Sequence, residues 1–473
     1  MSDWDAARVA DAAGAQLVAP GDGGARAADR PPRASIDSRS AGPGELFVGL
    51  AGERSDGGAF AQDALSAGAW GVLVGPEHAR RLAGAEEAGD PGASGAPGAV
   101  LAHPDPLRGL QALARTWRRE LGAAGSAVVA ITGSTGKTST KDILAALLAA
   151  DRPTAATPAN LNTEIGLPLA ILGAPPETRC LVLEMAMRGP GQIAELAAIA
   201  EPDIGVIVNV GPAHLELLGS LEAIAAAKAE LIAGLAAGAD AVVPAGEPLL
   251  APHLRSDVRT TTFGEGGDVT LTSIRPDGWV VICDRGEEIE LQPSFSQPHQ
   301  LNNLLAAVAA ARALGITPHG PLAVQFSAGR GGRVQLADDV LLIDDCYNAN
   351  PMSMRAAIDD LAGTAHGRRV AVLGDMLELG PQGPELHREV GRHAAACVDL
   401  LVAVGPLGSE IAGAFAGEAV TVPDARAAAD AVAGLVRPGD TVLVKASRGV
   451  GLEVVAEALA EALGSGAPAG GRS

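Results

Sequence analysis

Aromatic residues are scarce in this chain of 473 residues, at 2% of the total. Single-stranded nucleic acids are usually bound by stacking bases on aromatic side chains, so this composition disfavours such a role. Basic residues are also few, with 35 Lys and Arg against 56 Asp and Glu and a formal net charge of -21. Without a basic face, binding to nucleic acid or to an acidic membrane surface is not expected. An anionic ligand must instead be held by a few local cations and backbone amides.

Cysteine and long apolar runs are similarly limited. The four cysteines, Cys180, Cys283, Cys346 and Cys397, have no paired spacing, which predicts neither a disulfide framework nor a zinc site. No uninterrupted apolar run reaches membrane-spanning length, and the N-terminus lacks the basic and apolar regions of a signal peptide. We therefore expect a cytoplasmic protein without membrane insertion.

A Gly-rich turn between an apolar run and a helical pattern is the most informative part of the chain. Residues 127–139 have the sequence AVVAITGSTGKTS, and apolar residues at helical spacing follow. This order of strand, loop and helix is typical of a phosphate site, where Lys137 reaches the outer phosphates and Thr138 offers its hydroxyl to magnesium. Ile131 replaces the first glycine of the general pattern GxxxxGK[ST], so the motif is the shorter TGxxGKT. We expect ATP or GTP binding; an ordinary strand-to-helix connection is the alternative.

The length predicts two or three domains. Residues 1–110 predict a small α/β domain. Residues 111–327 contain the phosphate loop and alternate strands with helices, which predicts an ATPase domain with a mainly parallel sheet. Residues 328–473 predict a Rossmann-like α/β domain without a second phosphate loop. Residues 81–98 and 464–473 are rich in Gly, Ala and Pro, and we expect a flexible insertion and a disordered tail.

Polar residues lie at the ends of several predicted strands. Glu184 closes one strand of the central unit, and His214 follows the next after a short turn. Ligands of open parallel sheets bind beyond the carboxyl ends of the strands, so both residues are expected at the rim that carries the phosphate loop. A metal site is one interpretation, and a structural histidine is the other. In the third unit, Asp345, Asp375 and Lys445 lie at corresponding strand ends.

Two sets of basic side chains have simpler interpretations. Lys228 is the single lysine of an alanine-rich helix predicted over 221–235, and periodicity alone indicates an ordinary surface lysine. Arg115, Arg118 and Arg119 form a run on a linking helix, for which a solvated face is the simpler explanation.

Six segments define a family pattern when they are taken in order. They are TGSTGKT at 132–138, TPANLNTEIG at 157–166, AHLE at 213–216, DDCYNANP at 344–351, LGDMLELG at 373–380 and VKASR at 444–448. Together they resemble the Mur ligases of bacterial cell-wall synthesis over nearly the whole chain. The resemblance implies an ATP-dependent amide ligase that works through an acyl phosphate. YNANP and LGDMLELG point to the members that add D-alanyl-D-alanine to UDP-N-acetylmuramoyl-tripeptide.

The resemblance also implies roles for individual residues. ATP would be bound by Gly133, Ser134, Thr135, Gly136, Lys137, Thr138, Ser139, Asn303, Arg330, Asp345, Tyr347 and Asn348. Two magnesium ions would be held with the help of Thr138, Glu184 and His214, and Lys228 would be carbamylated by carbon dioxide and lie near the second ion. Catalysis would depend on Lys137, Asn160, Glu184, His214 and Lys228. The substrates would be bound by Ser38, Arg39, Asn162, Thr163, Asp375, Lys445, Ser447 and Arg448.

Three departures from the family pattern concern the loops. Cys346 replaces the usual Ser, residues 184–193 differ from the common form, and residues 244–247 lack the usual Asn and Asp of the nucleotide-base pocket.

The nearest alternatives are a Mur ligase that adds the third peptide residue and a folylpolyglutamate-type ligase. A regulatory NTPase is a further alternative, and it would hydrolyse nucleotide without an amine acceptor. We expect a monomer whose third domain closes on ATP binding.

Overall fold

The computed structural model describes residues 4–21, 29–52, 55–87 and 98–464, which form three α/β units, each built on its own sheet. The sheets have five, ten and six strands. Most neighbouring strands are parallel, so the predicted α/β class with a mainly parallel central sheet is confirmed. Within these ranges, no helix is both long enough and apolar enough to cross a membrane.

The first unit is a small sheet with helices on its faces. Its elements are α1 (Ala6–Ala13), β1 (Gln16–Ala19), β2 (Arg33–Ser35), β3 (Glu45–Val48), α2 (Ala61–Ser66), β4 (Gly71–Val74), α3 (Pro76–Glu87) and β5 (Ala99–Ala102). The strand order is β1-β5-β4-β3-β2, and only β1 is antiparallel to its neighbour.

The prediction of a flexible insertion at 81–98 is wrong for residues 81–87, which belong to helix α3. Residues 81–87 are helical because Leu, Ala and Glu, which favour helix, outnumber the single glycine there. Residues 88–97 lie outside the described residues. Of the predicted disordered tail, only Gly464 is described.

The second unit contains the ten-stranded sheet. Its elements are α4 (Pro106–Ala123), β6 (Ala127–Thr132), α5 (Lys137–Ala149), β7 (Thr154–Ala156), α6 (Gly166–Gly173), β8 (Cys180–Glu184), α7 (Gln192–Ala200), β9 (Ile204–Ile207), α8 (Leu215–Leu218), α9 (Leu221–Ala233), β10 (Asp240–Pro244), β11 (Arg259–Phe263), β12 (Val269–Ile274), β13 (Val280–Asp284), β14 (Glu287–Pro293), α10 (Pro298–Ala313) and β15 (Gly320–Leu322). The strand order is β15-β14-β13-β12-β11-β10-β9-β6-β8-β7. Strand β13 is antiparallel to both of its neighbours, β12 and β14, and the remaining pairs are parallel.

Helix α4 buries one of the arginines that were expected on a solvated face. Arg118 is 8% exposed. Its Nε donates to the carbonyl of Ala200 at 2.8 Å, and its Nη2 donates to Asp203 at 2.9 Å. The expectation was wrong for Arg118 because its partners, the end of α7 and the start of β9, are more than 80 residues away in sequence.

The third unit has the strand order β16-β17-β21-β18-β19-β20, with only β16 antiparallel. Its elements are β16 (Gly332–Gln335), β17 (Leu341–Asp344), α11 (Pro351–Thr364), β18 (Arg369–Gly374), α12 (Gly383–Ala394), β19 (Leu400–Val404), α13 (Gly408–Ala414), β20 (Glu418–Val422), α14 (Ala425–Leu435), β21 (Thr441–Lys445) and α15 (Glu453–Leu463).

Three neighbouring strands of the central sheet position the candidate site. Strand β6 lies between β8 and β9, and all three are parallel. The residues that follow their carboxyl ends therefore meet at one edge, as the sequence predicts. Helix α10 packs against α5 beside this edge, and its buried segment 306–311, which is alanine apart from Val308, allows the two helices to approach closely.

Candidate functional site

The phosphate loop is shaped by glycine and by two asparagines. Gly136 has a φ of 78°, and a Cβ at this position would lie 2.5 Å from Oδ1 of Asn303. Glycine is thus required by both backbone conformation and space. Asn209, just beyond β9, accepts through Oδ1 from the amides of Ser134 and Thr135 at 3.1 and 3.0 Å. Asn209 was not predicted, although its place after a buried strand at the same edge could have indicated it.

Lys137 begins α5 and folds back over the loop. Its Nζ donates to the carbonyl of Gly133 at 2.8 Å, which places the ammonium group inside the turn. Burial lowers the pKa of Lys137, Glu184 opposes this shift, and Arg330 adds to it. The cation therefore lies close to a carboxylate of its own unit and an arginine of the third unit.

Glu184 is a buried carboxylate with two side-chain partners. It is 1% exposed, and Thr138 donates its hydroxyl to Oε2 at 2.8 Å. Asn162 donates from Nδ2 to the other carboxylate oxygen, also at 2.8 Å. Carboxylate and hydroxyl oxygens are ligands that magnesium prefers, so this donor set fits a magnesium ion next to the phosphate loop.

His214 pairs with a residue that was not predicted. Its Nδ1 donates to Oε2 of Glu378, which belongs to the loop after β18 in the third unit. Burial lowers the pKa of His214, Lys137 lowers it further, and Glu378 opposes both. Glu378 lies inside the LGDMLELG segment, but no local signal in the sequence indicates that it reaches a histidine 164 residues away.

Lys228 lies in the interior, and the surface position indicated by periodicity is wrong. The residue is 1% exposed. Burial holds the pKa of Lys228 well below that of an ordinary lysine, and Lys137 lowers it further. The chain has four lysines, and the other three are Lys137, which is partly exposed, Lys141, at 4% exposed, and Lys445, at 2%. All the strongly exposed cations of the described residues are therefore arginines.

A cavity of about 280 Å³ lies between the second and third units. The phosphate loop and α10 line one side of it, and Arg330, Asp345, Asn348 and Lys445 line the other. Lys445 Nζ is 2.7 Å from Oδ2 of Asp345 and donates to the carbonyl of Asn348 at 2.8 Å. The structure thus gathers nearly all of the predicted nucleotide residues around one cavity.

Tyr347 contacts two arginines of the third unit. The guanidinium of Arg330 stacks on the ring at 4.0 Å from its centroid, and that of Arg448 lies at 5.4 Å. Asn350, which was not predicted individually, caps α11 and reaches the carbonyl of Ser134 at 3.4 Å.

The remaining predicted residues are more dispersed. Arg39 is exposed and forms a 2.7 Å ion pair with Asp37, which lowers the pKa of Asp37 to about 2. Asp375 accepts from the amide of Gly408 at 2.7 Å, and Ser447 accepts from the amide of Leu377 at 2.9 Å. Ser38, Asn160 and Thr163 are exposed or partly exposed and do not line the nucleotide cavity.

The chain is similar to known proteins in its family patterns, its sequence and its structure. The family description "Mur ligase middle domain" matches residues 131–311, and "Mur ligase, glutamate ligase domain" matches residues 329–448. The chain is 39% identical over 436 residues to the UDP-N-acetylmuramoyl-tripeptide--D-alanyl-D-alanine ligase of Synechocystis sp., covering 90% of this chain and 91% of that protein. It is 33% identical to the protein of the same name from Escherichia coli, with coverages of 90% and 93%.

Solved structures agree with this similarity. MurF from Acinetobacter baumannii superposes with a TM-score of 0.81 at 29% identity, covering 97% of this chain and 99% of that one. MurF ligase from Thermotoga maritima, solved in complex with ADP, gives a TM-score of 0.75 at 32% identity, with coverages of 92% and 98%. The three-unit architecture of the present chain is therefore shared with these proteins.

Proposed function

The chain belongs to the Mur ligase family, and we propose on this basis that it adds D-alanyl-D-alanine to UDP-N-acetylmuramoyl-tripeptide while converting ATP to ADP and phosphate. The observation that carries the proposal is the cavity between the second and third units, where the phosphate loop faces Arg330 and the pair of Asp345 and Lys445. ATP fits this position because backbone amides and cations surround the place of its phosphates.

The first chemical step joins two anions. A carboxylate oxygen of the tripeptide attacks the γ-phosphorus, the bond to the β,γ-bridging oxygen breaks, and ADP leaves an acyl phosphate behind. Lys137, the loop amides and Arg330 reduce the repulsion between the carboxylate and the phosphates. Thr138 and Glu184 would hold one magnesium ion and His214 would help to hold a second; bound magnesium supplies further positive charge to the phosphates. Asn160, Asn162 and Thr163 are proposed to orient the acyl group.

The second step forms the amide. The amine of D-alanyl-D-alanine attacks the acyl carbon and forms a tetrahedral intermediate. The acyl C–O bond then breaks, phosphate leaves with that oxygen, and the proton lost by the amine passes to solvent. We assign the dipeptide to Asp375, Lys445, Ser447 and Arg448. Because Lys445 also lines the nucleotide cavity, this assignment would place the incoming amine next to the acyl phosphate.

The three units would divide the substrates among them. We propose boundaries at 1–110, 111–327 and 328–473, the first of which falls within helix α4 (Pro106–Ala123). The uridine diphosphate end of the substrate would be held near Ser38 and Arg39 of the first unit. The side chain of Arg39 is 88% exposed, so its guanidinium can turn from Asp37 to a diphosphate. A monomer is sufficient, since one chain supplies the whole cavity. We place the reaction in the cytoplasm, where ATP is available.

The burial of the Lys228 side chain supports a modification of its amine. The lowered pKa of Lys228 favours the free amine, which is the form that reacts with carbon dioxide. We propose that the resulting carbamate provides an anion near the second magnesium site. Lys137 and His214 both lie close enough to influence the charges at this place.

The function is tested by phosphate release from ATP, magnesium and UDP-N-acetylmuramoyl-tripeptide, with and without D-alanyl-D-alanine. Release should depend on the dipeptide, and the product mass should rise by one dipeptide less water. Glutamate or diaminopimelate as the preferred amine would instead indicate another ligase of the family. Phosphate release at the same rate with and without any amine would indicate a regulatory NTPase.

Closure of the third unit is a separate expectation. Arg330 and Asp345 can complete the nucleotide site only when the second and third units are together. Small-angle scattering should therefore show a smaller radius of gyration when a non-hydrolysable ATP analogue and the tripeptide substrate are added. An unchanged radius would contradict closure on ligand binding.

A further inference from the structure

The contact between Glu378 and His214 is built by the backbone of both units. The amide of Glu216 donates to the carbonyl of Glu378 at 3.1 Å, next to the contact between the two side chains. A Cβ at Gly380 would lie 3.1 Å from Cα of Glu216, so this close approach favours glycine. Glu378 and His214 both have a positive φ, 63° and 59°, which non-glycine residues rarely adopt. The loop after β18 is thus shaped to meet the turn before α8.

The chemistry of this contact concerns which imidazole nitrogen is free. An ionised carboxylate can only accept, so Nδ1 of His214 carries the proton that is donated to Glu378. The lone pair is then on Nε2, the other side of the ring. Carboxylates that orient metal-binding histidines in this way fix both the tautomer and the direction of the ring.

We infer that Glu378 is a positioning residue through which docking of the third unit prepares His214 of the second unit to bind a metal ion. The inference rests on the proposed function, because it assumes a metal ion at His214. The two residues belong to different units, so the orientation exists only while those units are docked. By linkage, docking then strengthens metal binding, and metal binding stabilises the docked state by the same factor.

Another partner of Glu378 does not account for the contact. Arg188 Nε lies 4.0 Å from Oε1 of Glu378, and its side chain is 77% exposed. An exposed ion pair at this distance is weak and is screened by salt. Arg188 therefore provides a control that changes the charge near Glu378 without removing the carboxylate from His214.

The experiment measures Mn²⁺ binding to the full-length protein by electron paramagnetic resonance, with a non-hydrolysable ATP analogue present. Glu378→Ala should weaken one class of Mn²⁺ site by about 10- to 100-fold. Glu378→Gln, whose amide oxygen can still accept from Nδ1, should bind Mn²⁺ more tightly than Glu378→Ala. Arg188→Gln should bind as the parent does. Thermal unfolding of each variant identifies any that is not folded.

Activity provides a second readout. The metal concentration that gives half-maximal ligation should rise in Glu378→Ala, and high magnesium should restore much of the rate. A role in packing alone would lower the rate without changing the metal dependence. Equal Mn²⁺ affinity in the parent and in a folded Glu378→Ala variant would overturn the inference. Failure of the proposed function is a different result, in which the parent itself shows no dipeptide-dependent phosphate release.

Discussion

Replacement of Lys137 by methionine is expected to reduce kcat for ligation by about a thousandfold. The ammonium group lies inside the phosphate loop, 2.8 Å from the carbonyl of Gly133, where we propose that charge on the transferred phosphate develops. Methionine keeps the length and much of the volume of the side chain, so the loss should come from the missing charge. Initial rates of dipeptide-dependent phosphate release would measure kcat and KM for ATP separately.

Whether the loss of activity appears in kcat or in KM decides how the role of Lys137 is interpreted. A loss confined to KM would show that Lys137 binds ATP and the transition state equally well, and would contradict the proposed role. Arg152→Met is a suitable control, because Arg152 pairs with its neighbour Asp151 and its side chain is 36% exposed. This control should keep the parent kcat. Calorimetric binding of ADP would establish that the Lys137→Met variant retains its fold.

Replacement of Lys228 by alanine is expected to lower the ligation rate by at least about 100-fold, since it removes the group that is proposed to become an anion beside the metal. In the parent protein, a fall in pH should lower activity, because protonation of the amine and loss of the carbamate both follow acidification. Added bicarbonate should restore part of the rate that is lost at low pH. Full activity of Lys228→Ala, or no effect of bicarbonate, would contradict carbamylation.

Carbon-13 magnetic resonance provides a direct measurement of this modification. Labelled bicarbonate should give a carbamate resonance in the parent protein that is absent from Lys228→Ala. Lys141→Met is the matched control, since Lys141 is also a buried lysine but donates to the carbonyl of Thr157 at 2.9 Å. Its spectrum should keep the resonance. A signal that persists in Lys228→Ala would assign the carbamate to another amine.

Local features of the sequence were sufficient to predict that the residues at the centre of the candidate site lie close together. Glu184 ends one strand, the phosphate loop and His214 follow two others, and parallel topology brings the ends of neighbouring strands together. The antiparallel strands β12, β13 and β14 were not singled out, although Glu287–Pro293 alternates exposed and buried residues in the manner of a half-buried strand.

Burial and docking could not be read from local patterns. Helix α9 is so rich in alanine that its apolar face has no clear boundary, and Lys228 therefore looked like a surface residue. Arg118 is buried by partners on α7 and β9, and Glu378 reaches His214 across a unit boundary. Such positions depend on how distant segments pack, and this depends on the whole fold.

The distribution of the four lysines has a consequence for chemical labelling. Among the described residues, Lys141, Lys228 and Lys445 are each less than 5% exposed, so an acylating reagent directed at lysine finds only Lys137 partly within reach. A label chosen to modify surface lysines would therefore react at Lys137 in the phosphate loop. The rate at which lysine is acylated thus reports on the occupancy of the nucleotide cavity, and ATP should protect the protein from the reagent.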